Sequence, residues 1–214
     1  MNSFINRKEM YFFERIYRYI SIPVVKGLAK TKVTPNMVTI TNLILAGLNS
    51  YLMLSNKVYY LSAFLMFVYY FLDVIDVNLA RFTGKTSKLG AKLDEVADGI
   101  SYNLFIISLG VNNVPLIWIC MLLFIMNFYS FITTKYIVPN IRLIRNFKRV
   151  GIKKYLMSKG IILGIDFSLL GVLIAAAIIS GEYVFMYKFI LALYIMDLLY
   201  RLIELWINKY LDRK

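Results

Sequence analysis

Histidine is absent from this 214-residue chain, cysteine occurs once, and Asp and Glu together number only 12. Without imidazole, the commonest general base and metal ligand, acid–base chemistry falls to carboxylates, lysine, tyrosine or water. The lone Cys120, inside the apolar run LIWICMLLF, excludes an intramolecular disulfide and a thiolate metal site; it reads as a small buried apolar residue. No continuous apolar run followed by a small-residue cleavage site opens the sequence, so a signal peptide is not expected. Internal repeats and low-complexity segments are also lacking.

What is present is apolar residue, 60% of the chain against 17% charged. That composition exceeds a soluble domain and identifies an integral membrane protein. One span needs about 20 residues, so the length accommodates roughly six. The net charge of +13 raises nucleic acid as a partner. Yet Lys and Arg fall in the gaps between apolar runs and form no single stripe, so membrane topology accounts for them and no nucleic acid is expected.

The apolar runs predict spans at residues 38–54, 59–81, 93–109, 115–137, 161–179 and 184–207. Thr34-Pro35-Asn36 is the start signal of the first, with proline where a helix tolerates its missing N–H. Cations crowd alternate gaps: Arg7, Lys8, Arg15, Arg18, Lys26, Lys30 and Lys32 before span one; Lys85, Lys88 and Lys92 between spans two and three. The same side holds Arg142, Arg145, Lys148, Arg149, Lys153, Lys154 and Lys159 after span four, and Lys209, Arg213 and Lys214 after span six. The opposite loops hold only Lys57 and Lys188, which puts both termini and the turn between spans two and three in the cytoplasm. Residues 7–31 mix aromatic and aliphatic side chains with cations at helical spacing, as an interfacial amphipathic helix does. The expected fold is all-α: a cytoplasmic amphipathic segment at 1–32, a six-helix transmembrane catalytic domain at 33–208 and a cytoplasmic tail at 209–214.

Four aspartates break this apolar pattern. Asp73 and Asp76, three apart, share one face of span two; Asp94 and Asp98, four apart, share a face of span three. A short turn joins these helices, so the pairs can face each other as antiparallel neighbours. An aspartate at a helix centre costs about 2.5–3.5 kcal/mol on insertion scales, so four need compensation. A cluster of oxygen ligands suits hard divalent cations, and two such ions would cancel four carboxylates. They would also attract a diphosphate and stabilise charge on a leaving phosphate. Glu95 falls off this face and reads as a surface charge.

The stretch resembles the signature of the CDP-alcohol phosphatidyltransferase family, D-x2-D-G-x2-A-R-x8-G-x3-D-x3-D. Asp73, Asp76, Ala80, Arg81, Gly90, Asp94 and Asp98 meet it at the family spacing, while Val77 stands where the family has glycine. The resemblance implies attack by an acceptor hydroxyl on the phosphorus of a CDP-linked alcohol, with release of CMP, and a homodimer in the membrane. It implies that Asp73, Asp76, Asp94 and Asp98 hold two divalent cations, Mg²⁺ or Mn²⁺, with Asp98 also the catalytic base. The TPNMVT start of span one is similar to the family's entry into its first helix. Asn36 and Thr39 therefore join Asp76, Val77, Ala80, Arg81 and Gly90 as nucleotide-binding candidates. Valine at 77 adds a branched side chain where glycine allows close backbone approach by the nucleotide.

The acceptor site is less legible. Lys135, Arg142 and Arg145 after span four, Arg201 in span six and Asp166 in span five are candidates by analogy, although the positive-inside bias accounts for the cations equally well. Asp166 and Asp197 are intramembrane carboxylates, and Asp197 can pair with Arg201 four residues on. The turn resembles that of members using CDP-diacylglycerol. A soluble CDP-alcohol donor with a diacylglycerol-type acceptor is the alternative within the class. Outside it stand an inactive scaffold and a cation transporter, which would spread its carboxylates near the bilayer midplane.

Overall fold

The computed structural model describes residues 10–55 and 59–212. Arg7, Lys8, Lys57, Arg213 and Lys214, used in the topology argument, lie outside the described residues. The helices are α1 (Phe12–Leu28), α2 (Pro35–Ser55), α3 (Tyr59–Thr83), α4 (Lys88–Gly110), α5 (Leu116–Ile132), α6 (Val138–Leu143), α7 (Gly151–Ser158), α8 (Phe167–Ser180) and α9 (Tyr183–Asp212). A π-helical turn at Thr133–Ile137 joins α5 to α6. Two short strands, β1 (Met10–Tyr11) and β2 (Ile161–Ile162), pair in parallel, Tyr11 opposite Ile162. The architecture is all-α apart from this pair, which ties the N-terminal segment to the approach to α8.

Among the described residues three helical stretches are long and apolar enough to cross a membrane: Pro35–Ser55, Tyr59–Thr83 and the continuous Leu116–Leu143. The shorter α8 is apolar over its 14 residues. Large apolar side chains such as Ile44, Tyr51, Phe64, Leu116, Phe124 and Phe131 point outward. A contiguous apolar exterior of this kind fits an integral membrane protein.

Local signals explain the helix ends. Thr34 opens α2, its hydroxyl accepting from Met37 N at 3.3 Å, with Pro35 as the first helical residue. Span five starts later than its apolar pattern predicts. Asp166 caps α8, its carboxylate accepting from the backbone N–H groups of Ser168 and Leu169 at 3.2 Å each, so the helix begins at Phe167. Ile161 and Ile162, assigned to that span by hydropathy, pair with β1 instead.

Helix α2 packs against both α3 and α4, α3 also contacts α1 and α8, and α5 runs along α9. Met66, Tyr69, Phe105, Leu122, Leu170, Ile174 and Tyr187 are buried in one apolar core. Val25, Val38, Ile75 and Leu79 form a second cluster joining α1, α2 and α3. Within the apolar layer Asn49 and Ser62 satisfy each other, Ser62 Oγ donating to Asn49 Oδ1 at 2.6 Å and Asn49 Nδ2 to Ser62 O at 3.2 Å. Such interhelical polar pairs hold membrane helices where hydrophobic association cannot. Helix α1 turns Phe12, Ile16, Ile20 and Val24 outward and buries Arg18, Ser21 and Val25.

Cys120 is exposed, against the expectation of burial. It lies on the outer side of α5 with Leu116 and Phe124, while Ile119, Leu122 and Met126 face the core. Both faces of α5 are apolar, so composition gave no contrast from which to read its orientation.

Gly110, the last residue of α4, is where α4, α5 and α9 meet. A Cβ built there would fall 2.7 Å from Ile119 Cγ1 and 2.9 Å from Tyr187 Oη. Gly110→Val is expected to lower stability by about 1–3 kcal/mol, the usual cost of overpacking, read as a lower melting temperature in detergent.

Candidate functional site

The turn between α3 and α4 is built by three residues. Gly84, at φ +68°, ends α3 in the left-handed conformation that favours glycine. Ser87 then caps α4, its hydroxyl accepting from Gly90 N at 2.9 Å. Gly90 allows α4 to approach the first turn of α2, for a Cβ there would sit 3.0 Å from Asn36 Oδ1 and 3.1 Å from Ser87 Oγ. Helices α3 and α4 make little direct backbone contact, and α2 packs on both. The aspartate-bearing ends are thereby held apart enough to leave space between them.

Asp73, Asp76 and Asp94 converge on that space, one carboxylate oxygen from each lying within 4.8 Å of the others. Asp76 is buried; its Oδ2 accepts from Thr39 Oγ1 at 2.6 Å and its Oδ1 has no hydrogen-bond partner among the described residues. A buried carboxylate oxygen without a donor, beside two further carboxylates, fits a divalent cation and disfavours a cap or surface-charge role. Asp98 lies beside Asp73, and its Oδ1 accepts from Tyr69 Oη at 3.1 Å. Glu95 faces away and pairs with Lys92 at 3.0 Å on the exposed side.

A cavity of about 260 Å³ opens against Asp76 and Asp94. All seven nucleotide-binding candidates, Asn36, Thr39, Asp76, Val77, Ala80, Arg81 and Gly90, line it together with Asp94. Lys85, Thr86 and Ser87 also line it. Sequence reasoning missed these three, although their place in the turn directly after Arg81 was a usable signal.

A second cavity, of about 240 Å³, is lined by Tyr11, Tyr129, Ser130, Thr133, Thr134, Asp166, Phe167 and Arg201 among others. Of the acceptor candidates, Asp166 and Arg201 line it; Lys135, Arg142 and Arg145 are exposed and do not. Arg201 Nε donates to Asp197 Oδ2 at 2.8 Å, which realises the expected pair, and its Nη2 donates to Tyr11 Oη at 3.1 Å. Tyr129 Oη donates to the same Asp197 oxygen. Thr133 Oγ1, in the π-helical turn, is buried without a partner. Such turns recur at functional sites because they re-aim side chains. The hydroxyl-bearing residues Tyr11, Ser130, Thr133 and Thr134 were not read from the sequence; only the clustering of the last three in YSFITT at the end of span four hinted at a polar wall.

One aromatic chain links the two regions. Phe167, on the wall of the second cavity, stacks on Tyr102 with centroids 4.3 Å apart, and Tyr102 packs edge-on against Tyr69, the donor to Asp98.

Two comparisons bear on this arrangement. The CDP-alcohol phosphatidyltransferase family profile matches residues 32–194. An archaetidylinositol phosphate synthase of Pyrococcus horikoshii is 42% identical over 77 residues, covering 36% of this chain and 40% of the relative. The matched stretch thus spans well under two thirds of that relative's length.

Metal binding is the direct consequence of the carboxylate geometry. Titration of the detergent-solubilised protein with Mn²⁺ is expected to show binding that Asp73→Asn and Asp94→Asn each weaken at least about tenfold, because each removes a charged oxygen ligand. Glu95→Gln is expected to leave it unchanged.

Proposed function

Because the chain belongs to the CDP-alcohol phosphatidyltransferase family, we propose that it transfers a phosphatidyl group from CDP-diacylglycerol to the hydroxyl of a small phosphorylated alcohol. CMP is the second product. The observation that carries this reading is the convergence of Asp76 and Asp94 with Arg81, Asn36, Thr39 and Gly90 on one cavity, beside a trio of carboxylates able to close on a cation. A transporter's carboxylates would be spread through the bundle rather than gathered beside such a pocket.

In the proposed reaction the CDP moiety occupies the first cavity, with Arg81 and Lys85 toward its phosphates and Asn36, Thr39, Val77, Ala80 and Gly90 around the nucleoside. Asp73, Asp76 and Asp94 hold one divalent ion, and Asp98 beside them completes the ligands for a second, Mg²⁺ or Mn²⁺. Bound there, the ions supply orientation of the diphosphate and neutralisation of charge on the departing phosphate. Asp98 takes the proton from the acceptor hydroxyl. The acceptor oxygen then bonds to the phosphorus that carries the lipid alcohol. The bond from that phosphorus to the bridging oxygen breaks, and CMP leaves with its electron pair.

The second cavity is the proposed acceptor site. Arg201 meets the acceptor's anionic group, while Ser130, Thr133 and Thr134 offer hydroxyls to a polyol. Asp166 lies at its edge; Lys135, Arg142 and Arg145 draw anionic substrates from outside the cavity. The printed name of the Pyrococcus relative, an archaetidylinositol phosphate synthase, favours a phosphorylated inositol as the first acceptor to try. In the same reading α2, α3, α4, the α5–α6 stretch, α8 and α9 are six spans over residues 33–208. The segment at 1–32 lies in the interface, the site and both termini face the cytoplasm, and the protein works as a homodimer among membrane lipids.

Purified protein in detergent, given CDP-diacylglycerol and Mg²⁺ or Mn²⁺, is expected to release CMP with inositol phosphate or glycerol 3-phosphate as acceptor, with serine as the unphosphorylated comparison. Asp98→Asn is expected to cut the rate by about 10²–10⁴, the usual contribution of a general base. Arg201→Ala is expected to raise KM for a phosphorylated acceptor about tenfold without changing KM for the donor, since it removes a charge-assisted contact. Absence of CMP with every acceptor, and with soluble CDP-alcohols plus diacylglycerol, would overturn the reading. Val77→Gly is expected to raise CMP affinity; an unchanged affinity would show that the valine does not crowd the nucleotide.

A further inference from the structure

We propose that Tyr69 is a positioning residue for the proton-accepting aspartate, and this rests on the transfer reaction proposed above. Tyr69 lies on α3, one helical turn before Asp73, and is buried at 1% exposure. Its hydroxyl crosses to α4 and donates to Asp98 Oδ1 at 3.1 Å. The ring cannot swing away easily. Tyr102 meets it edge-on with centroids 5.7 Å apart and planes at 86°, and Phe105 does so at 5.0 Å and 87°. Tyr102 is itself pinned, stacked on Phe167 and donating to Phe167 O at 3.3 Å. A phenol fixed on three sides presents its O–H in one direction.

That direction matters because Asp98 differs from the other aspartates. Asp73, Asp76 and Asp94 can bring oxygens together on a single ion, and Asp98 is outside that trio. A carboxylate with one oxygen tied to a rigid donor, and hydrogen-bonded to Asp73 beside it, is held in one orientation. The acceptor hydroxyl gives its proton to the Asp98 carboxylate, forms the new phosphorus–oxygen bond, and the bridging bond to CMP breaks, so no further reactant is required. Phe167 lines the acceptor cavity, so the chain Phe167–Tyr102–Tyr69 holds the wall that shapes the acceptor in register with the oxygen that takes its proton. General-base catalysis depends on that register, because proton transfer needs the heavy atoms within hydrogen-bond reach.

Tyr69→Phe keeps the ring and its edge-on contacts and deletes only the hydroxyl. The expected result is a fall of about tenfold in kcat for CMP release, with KM for both substrates and Mn²⁺ affinity at the Asp73–Asp76–Asp94 site within about twofold of wild type, the signature of an interaction made at the reacting step. In an Asp98→Asn background the same change is expected to have no further effect. Tyr187→Phe, an equally buried tyrosine whose hydroxyl donates to Ile106 O away from the carboxylates, serves as the control and keeps its kcat. An unchanged kcat in Tyr69→Phe overturns the proposal while leaving the transferase reading intact. A loss of Mn²⁺ affinity at the Asp73–Asp76–Asp94 site or of the melting transition also overturns it, by marking Tyr69 as a structural residue. No CMP release by wild type removes both.

Discussion

The carboxylate of Asp76 is buried with one oxygen held by Thr39 and the other without a protein donor, and the surrounding bundle is arranged around that demand. An unpaired charge in an apolar interior is among the most destabilising features a fold can carry, and removing its compensation is worth several kcal/mol. Two features of the chain ease it: α2 supplies the hydroxyl of Thr39 to one oxygen, and the α3–α4 turn leaves a cavity beside the carboxylate, while Asp73 and Asp94 add like charge that a cation would balance. A site that binds a divalent ion and an anionic diphosphate together resolves the electrostatic problem that the same residues would pose alone.

Helix α2 is the structural device that makes this possible. By packing on both α3 and α4 it keeps the two aspartate helices from closing on each other. Its first turn approaches α4 through Gly90, where any side chain would press on Asn36. The small residues of the motif are therefore spacing elements: Gly90 sets how close α2 comes, and Ala80 sits on the wall of the cavity that this approach defines. Val77 shares that wall, half-buried, so the cavity accommodates a branched side chain without closing.

What could be read from the sequence divides along a physical line. The aspartate cluster was legible because three- and four-residue spacings on helices fix which side chains share a face. The start of α2 followed from Thr34 and Pro35 for the same local reason. Features that depend on contacts far apart in the chain were not legible: Tyr11 beside Arg201, the β1–β2 pair, and the late start of α8 once Ile161 and Ile162 are drawn into that pair. The outward turn of Cys120 was hidden by a different cause, since a helix apolar on every side carries no moment to orient it. Ser130, Thr133 and Thr134 were overlooked because hydroxyl side chains in apolar helices bond their own backbone so readily that none stands out.

Arg201 shows why pairing and binding are not competing accounts of one residue. Its guanidinium gives Nε to Asp197 and Nη2 to Tyr11, yet it still lines the second cavity. Guanidinium carries five N–H donors, so two such bonds fix its plane without using it up. A cation without Asp197 would be free to swing and costly to bury. A cation fully enclosed by carboxylates would have nothing left to offer. Arg201 stands between these limits: Asp197 and Tyr129 lock one edge, a tyrosine hydroxyl rests on another, and the remaining donors keep the fork geometry that suits the oxygens of an anionic substrate. The partial neutralisation that made Arg201 look structural in the sequence is the condition under which a half-buried arginine can be held ready for a ligand.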